Sequence, residues 1–149
     1  MREFVAWCRV RYRERPWQVD AYFQDSELSS ELASLGQKYA PPGGALLLAL
    51  AGGRAAGCVT LRTIGDGVCE MKRFYVRPEY HGLGLGRRLA EAFIALARER
   101  GFRTMRLETG DLQTEAQTLY RSLGFRRIEP YYDCPEELGR YLVFMERDL

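Results

Sequence analysis

The sequence predicts a mixed α/β fold, an antiparallel meander of three strands followed by a β-α-β crossover, in one domain over residues 1–149. Three observations carry this. Strand-like apolar runs at 45–51, 56–62 and 68–76 are separated by Gly52-Gly53 and Gly65-Asp66-Gly67. A glycine-rich stretch, His81-Gly82-Leu83-Gly84-Leu85-Gly86, opens an amphipathic helix. That helix leads into an alternating run at 104–109. A chain of this length buries about 68–70% of its unfolded surface, so its core needs no disulfide or metal staple.

Residues 2–14 fit two templates. Phe4, Trp7, Cys8 and Arg11 have helical spacing, whereas Phe4, Ala6, Cys8, Val10 and Tyr12 alternate as in a strand; a helix is the reading adopted. Pro16 interrupts it. A helix is then expected from Ser26, with Leu28, Leu32 and Leu35 on one stripe, ending by Pro41-Pro42-Gly43-Gly44. The run ALLLALA at 45–51 has the length of a buried strand. Gly52-Gly53 makes the hairpin turn, residues 56–62 return, Gly65-Asp66-Gly67 turns again, and 68–76 complete the meander. A helix follows over 84–100. Leu85, Leu89, Phe93 and Leu96 share one face, with Ala92 and Ala97 beside them, opposite Arg87, Arg88, Glu91, Arg98 and Glu99. Gly101 suits its C-cap. The run TMRLET should lie parallel to the third strand, because strand-helix-strand crossovers are right-handed and parallel. Asp111 or Thr114 is expected to cap the next helix, whose inner face carries Ala116, Leu119, Tyr120 and Leu123 and which Gly124 ends. Residues 125–128 and 140–147 form the last strands, around a loop at 131–139.

Charge and composition exclude several classes. The 22 basic and 20 acidic side chains nearly balance, which argues against a nucleic-acid or membrane partner. Arg11, Arg13 and Arg15 read as a solvated basic face. Cys8, Cys58, Cys69 and Cys134 show no CxxC spacing and there is one histidine, so no metal site is expected. No apolar run approaches ~20 residues. The arginine-rich N-terminus lacks the apolar segment of a secretory signal, which points to a cytoplasmic protein.

The glycine loop is chemically specific. Residues without Cβ let successive N–H groups converge. The following helix start adds unpaired donors and the positive end of its dipole. A phosphate or pyrophosphate fits such a site. In this loop, and in Leu119-Tyr120-Arg121-Ser122-Leu123-Gly124-Phe125 downstream, the chain resembles the GCN5-related N-acetyltransferases, the GNAT superfamily, over residues 45–147. His81 stands where that family usually has Gln or Arg. Gln113 stands where its late helix often begins with Asn. No clear strand precedes the first helix, which leaves the sheet edge, and with it a homodimer, undecided.

The resemblance implies a sheet whose fourth and fifth strands splay apart, with helices on both faces. It implies acetyl-CoA as cosubstrate in that V, its pantetheine arm on the backbone of Phe74, Tyr75 and Val76. The pyrophosphate would lie on the N–H groups of Gly82, Leu83, Gly84, Leu85 and Gly86, with Arg87, Arg88 and Gln113 nearby. Backbone N–H near Phe74 would polarise the thioester carbonyl.

Acetyl transfer to an amine needs a base, carbonyl polarisation and an acid for the departing thiolate. Glu70 is the candidate base. Strand alternation puts it on one face with Lys72, Phe74 and Val76, and the competing reading is a salt bridge to Lys72 or Arg73. Tyr120 is the candidate acid, against the alternative of a core tyrosine. His81 reads as a phosphate neighbour or a solvated residue, not as a base. Tyr131, Tyr132 and Asp133 would line the acceptor pocket, where aromatic faces and a carboxylate suit a cationic amine, or else form an ordinary turn between Pro130 and Pro135. The reading is an N-acetyltransferase acting on a primary amine of a small molecule or peptide. A non-catalytic acyl-CoA sensing domain is the alternative. A dinucleotide-binding unit, with Glu108 on the ribose, is disfavoured because the glycine spacing is not GxGxxG.

Overall fold

In the computed structural model the chain runs α1 (Arg2–Arg11), α2 (Pro16–Tyr22), α3 (Asp25–Ala33), α4 (Leu35–Lys38), β1 (Gly44–Ala51), β2 (Arg54–Gly65), β3 (Val68–Val76), α5 (Leu85–Glu99), β4 (Thr104–Gly110), α6 (Thr114–Ser122), β5 (Arg126–Ile128), α7 (Glu136–Gly139) and β6 (Leu142–Asp148). All 149 residues are described, apart from the side chains of residues 25–27. The strands form one mixed sheet in the order β1-β2-β3-β4-β6-β5. β1, β2 and β3 make the antiparallel meander, with Gly52, Gly53 and Gly67 at positive φ in its turns. β4 joins β3 in parallel after the α5 crossover, and β6 inserts antiparallel between β4 and β5.

Helices cover both faces. Leu89, Phe93, Ile94 and Ala97 of α5 and Tyr120 of α6 pack on Leu61, Cys69, Met71, Met105 and Leu107. On the opposite face Val5, Cys8, Val19 and Phe23 from the first helices build a second apolar cluster. The alternation of β3 and β4 divides the two sides, because successive side chains point to opposite faces.

Residues 2–14 resolve in favour of helix. Pro16 does not merely interrupt: it occupies the first turn of α2, where its missing N–H costs nothing. The expected helix from Ser26 breaks at Ser34 into α3 and α4. β1 is an edge strand, not a buried one. Leu46, Leu48 and Leu50 are 40%, 57% and 62% exposed, because α5 covers only the other face. Neither Asp111 nor Thr114 caps α6; Gln113 holds that position without a side-chain cap bond.

The most consequential departure lies in β3. Arg73 has φ +54°, and the β2–β3 register slips between Cys58 and Thr60 opposite it. This is a β-bulge, which lets two consecutive residues face the same side. Glu70 and Lys72 therefore share a face with Arg73. Phe74 and Val76 pack into the α5 core on the other side, so the single face expected for all four residues does not exist. The Thr60 hydroxyl donates to the Lys72 carbonyl at 3.0 Å within the distortion.

Candidate active site

The parallel pairing of β3 with β4 ends at Met71 and Leu107. Beyond it the strands part, while β3 remains bonded to β2 as far as Val76 and Gly57. The splay thus falls between the third and fourth strands of this chain, not the fourth and fifth, because its first segment is helical. Among the described residues, the edge of Phe74, Tyr75 and Val76 facing the gap has no strand partner.

The gap runs directly into the glycine loop. Gly82 and Gly84 have φ of +77° and +73°, and a Cβ at either would meet nothing within 4 Å. Open space does not require these glycines; the left-handed backbone does. His81 hydrogen-bonds the Val76 carbonyl through Nε2 at 2.8 Å, fastening the loop to the strand. Arg88 supplies the first N–H bonded back into the helix, to Gly84 at 3.2 Å, so the amides of residues 82–87 precede the helical ladder. Together with Phe74, Val76 and Leu119 the loop lines a groove of about 410 Å³. Arg87 donates to Ser122 Oγ at 2.6 Å at its rim. Gln113 accepts from Thr109 Oγ1 at 2.6 Å. Tyr120 lies 5% exposed at the junction of this groove with an inner cavity of about 80 Å³. Its ring packs edge-on against Phe74 and Phe125, and burial raises its phenol well above the usual range.

Two buried carboxylates flank the point where the strands part: Glu70 in the stretch still paired with β4, lining neither the groove nor the inner cavity, and Glu108 just past it on the inner cavity wall. Glu70 is fully buried. It receives bonds from Arg62 and, at 2.7 Å, from the Tyr131 hydroxyl. Lys72 Nζ stands 3.7 Å away. The bridging partner is thus chiefly Arg62, with Lys72 farther off and Arg73 engaged elsewhere. Glu108 receives Lys72 at 2.9 Å, Tyr22 at 2.5 Å and the Tyr132 hydroxyl. Burial favours its neutral form, but the Lys72 charge and the two hydroxyls outweigh that and hold its carboxyl below the ordinary value. Burial first, then Glu108, raises the Tyr22 and Tyr132 phenols; burial, then Glu70, raises Tyr131. Tyr131 and Tyr132 therefore act as clamps on the two carboxylates, and Tyr132 also lines a second cavity of about 640 Å³ with Arg62, Lys72 and Glu108.

A third carboxylate braces the bulge. Arg73 pairs with Glu31 through Nε and Nη2 at 2.9 and 3.0 Å. Lys38 and Tyr39 add bonds of 2.8 and 2.9 Å. Burial alone would raise the Glu31 carboxyl; Arg73, Lys38 and Tyr39 hold it down at about 2. Arg11 and Arg15 are not a solvated face. Arg11 bonds the Leu112 carbonyl at 3.0 and 2.8 Å and Glu115 at 2.6 Å, and Arg15 bonds Asp111 at 2.8 Å. Of the three, only Arg13 is largely exposed.

Sequence reasoning missed Gln18, Tyr22 and the role of Glu108. For Glu108 a signal existed: in TMRLET it points opposite Met105 and Leu107, and the parallel register Glu70–Arg106 brings it beside Lys72. Helix α2, which carries Gln18 and Tyr22, lacks a long periodic run.

The model of the acetyltransferase (GNAT) family matches residues 4–125. An uncharacterised N-acetyltransferase of Schizosaccharomyces pombe is 44% identical over 119 residues, covering 78% of this chain and 72% of its own. A Klebsiella pneumoniae crystal structure described as an acyl-CoA N-acyltransferase superposes with a TM-score of 0.68 at 34% identity, covering 83% of this chain and 86% of that one. A Bacillus subtilis acetyltransferase solved in complex with CoA shares the fold, with a TM-score of 0.65 at 22% identity over 83% of this chain and 86% of that one.

Proposed function

The chain belongs to the acetyltransferase (GNAT) family, and on that premise we propose that it transfers the acetyl group of acetyl-CoA directly to a primary amine. The observation that carries this is the bulge-opened gap. It leaves the backbone of Phe74, Tyr75 and Val76 free beside a loop whose amides precede the helical ladder. A groove of that composition suits a pantetheine arm on the strand and a diphosphate on Gly82, Leu83, Gly84, Leu85 and Gly86, with His81, Arg87 and Gln113 around it. The related fold crystallised with CoA supports the same assignment.

The amine nitrogen attacks the thioester carbonyl carbon; a C–N bond forms and the C–S bond breaks. A backbone N–H near Phe74 stabilises the developing oxyanion. Glu70 accepts the proton that the amine loses. Because its carboxylate is fully buried and lines none of the three cavities, that proton must be relayed to it from the cavity wall, where its neighbours Arg62 and Lys72 stand. Glu108, held ionised by Lys72, is a poor base and a good counter-charge for the incoming ammonium. Tyr120 gives its proton to the departing thiolate, and its raised pKa keeps that proton in place until then. In the test, purified protein is mixed with acetyl-CoA and a panel of primary amines, and free thiol is read. Amine-dependent thiol release supports the proposal. CoA binding without transfer to any amine would indicate an acyl-CoA sensing module instead, and binding of NAD in preference to CoA would reject both.

A further inference from the structure

Helix α2 carries one polar side chain into the interior with nothing to bond. Gln18 is 5% exposed, and neither its amide nitrogen nor its amide oxygen has a hydrogen-bond partner among the described residues. Leaving a buried carboxamide unpaired is unfavourable, and native interiors hold few such groups. Packing alone does not explain it, because an apolar side chain of the same length would fill the space without that cost. Gln18 lies on the inner cavity, whose lining combines the apolar Val19, Phe23, Leu138 and Leu142 with polar groups that include Tyr12, its hydroxyl likewise without a partner among the described residues. The same cavity reaches Phe74 and Tyr120 at the cofactor gap, and Glu108, the counter-charge for an ammonium.

We propose that Gln18 is a specificity-determining residue, pairing with a carboxamide-like group on an acceptor whose amine is the acetylated nitrogen and whose remaining substituent is apolar. The inference rests on the acetyl-transfer reading and names its substrate class. A carboxamide presents an N–H and a C=O side by side, the complement of the two open atoms of Gln18. A carboxylate supplies no donor for the Gln18 oxygen. A hydrocarbon supplies neither partner and leaves both atoms unpaired. Such a site discriminates against the analogue that lacks the polar group, here by on the order of 10- to 100-fold for one neutral pair.

The test uses L-leucinamide, 3-methylbutylamine, which lacks the carboxamide, and L-leucine, which carries a carboxylate in its place. The wild-type protein should favour L-leucinamide over both in kcat/KM by that factor, mostly through KM. In Gln18→Met the ratio of L-leucinamide to 3-methylbutylamine should fall by that same factor relative to wild type, with CoA affinity unchanged and Tm no lower. Equal use of the amines by wild type, a preference for L-leucine, or a ratio of L-leucinamide to 3-methylbutylamine that is unchanged in Gln18→Met would overturn the proposal. Calorimetric titration of L-leucinamide into the CoA-bound protein separates the two readings. Binding by wild type and not by Gln18→Met, without acetylation of any amine, would uphold Gln18 and sink acetyl transfer. Binding by neither protein, or by both alike, would sink the Gln18 assignment.

Discussion

Glu31 braces the β3 bulge through its paired bonds to Arg73. Its carboxyl is 5% exposed and held at about 2, against 4.5 for the free group, with Arg73, Lys38 and Tyr39 overcoming the effect of burial. At about 1.4 kcal/mol per pH unit this contributes about 3 kcal/mol at neutral pH. The pKa is depressed, so the stabilisation is complete above the unfolded pKa of 4.5 and is lost as pH falls towards 2. Integrating the titration leaves about 2 kcal/mol at pH 3.5. Glu31→Gln keeps the shape and removes the charge. Urea denaturation of both proteins at pH 7 and pH 3.5 isolates this group, because every other carboxylate titrates in both. The stability gap should be about 3 kcal/mol at pH 7 and narrow by about 1 kcal/mol at pH 3.5. The variant should also bind CoA more weakly, since Arg73 loses the anchor that holds its left-handed backbone. A gap that is the same at both pH values would refute the electrostatic argument. Unchanged CoA affinity would separate the ion pair from the cofactor gap.

Three further outcomes are expected. Glu70→Gln should lower kcat by about 10²-fold or more at fixed pH with little change in CoA affinity. Tm must be read alongside, because the variant also leaves Arg62 without its buried partner; unchanged turnover would remove Glu70 from the chemistry. Tyr120→Phe, which keeps the ring against Phe74 and Phe125, should slow transfer without altering CoA binding, and full activity would leave Tyr120 a packing residue. Gly110→Ala would place a Cβ 1.8 Å from the hydroxyl of the buried Tyr12, whose ring would have to shift towards the inner cavity it lines. It should destabilise by about 1–3 kcal/mol in urea titration, and a neutral result would mean that Tyr12 relocates freely.

Much of the frame was legible because its signals are local. Glycine turns, a period of two in β4 and a period of 3.6 in α5 each report on a few neighbouring residues, and the glycine loop reports on its own backbone. What failed depends on distant partners. Arg11 and Arg15 stand in an arginine-rich stretch that reads as solvated, yet their acceptors lie 101 and 96 residues along the chain. The run ALLLALA cannot say that one of its faces lies bare at a sheet edge, because continuous apolarity is the same whether one or two layers cover it. Gln18 carries no local mark at all. Its meaning comes from a cavity wall built by β3, β4, α6 and α7 as well as by its own helix.

The bulge shows why these long-range terms matter for chemistry. Under strict alternation Arg73 would follow Cys69 and Met71 into the α5 core, an unpaired charge in an apolar layer. At φ +54° it turns instead to Glu31, 42 residues earlier, with its guanidinium 5.1 Å from the Phe23 ring centroid. The same twist sends Phe74 and Val76 to the core side. It also coincides with the point past which β4 no longer follows β3, as the parallel ladder stops at Met71. A free strand edge, Lys72 turned towards Glu108, and a wall of α2 and α3 beside the cavities thus meet at the bulge. All three sit at the one position where Arg73, at positive φ, is held by the buried Glu31.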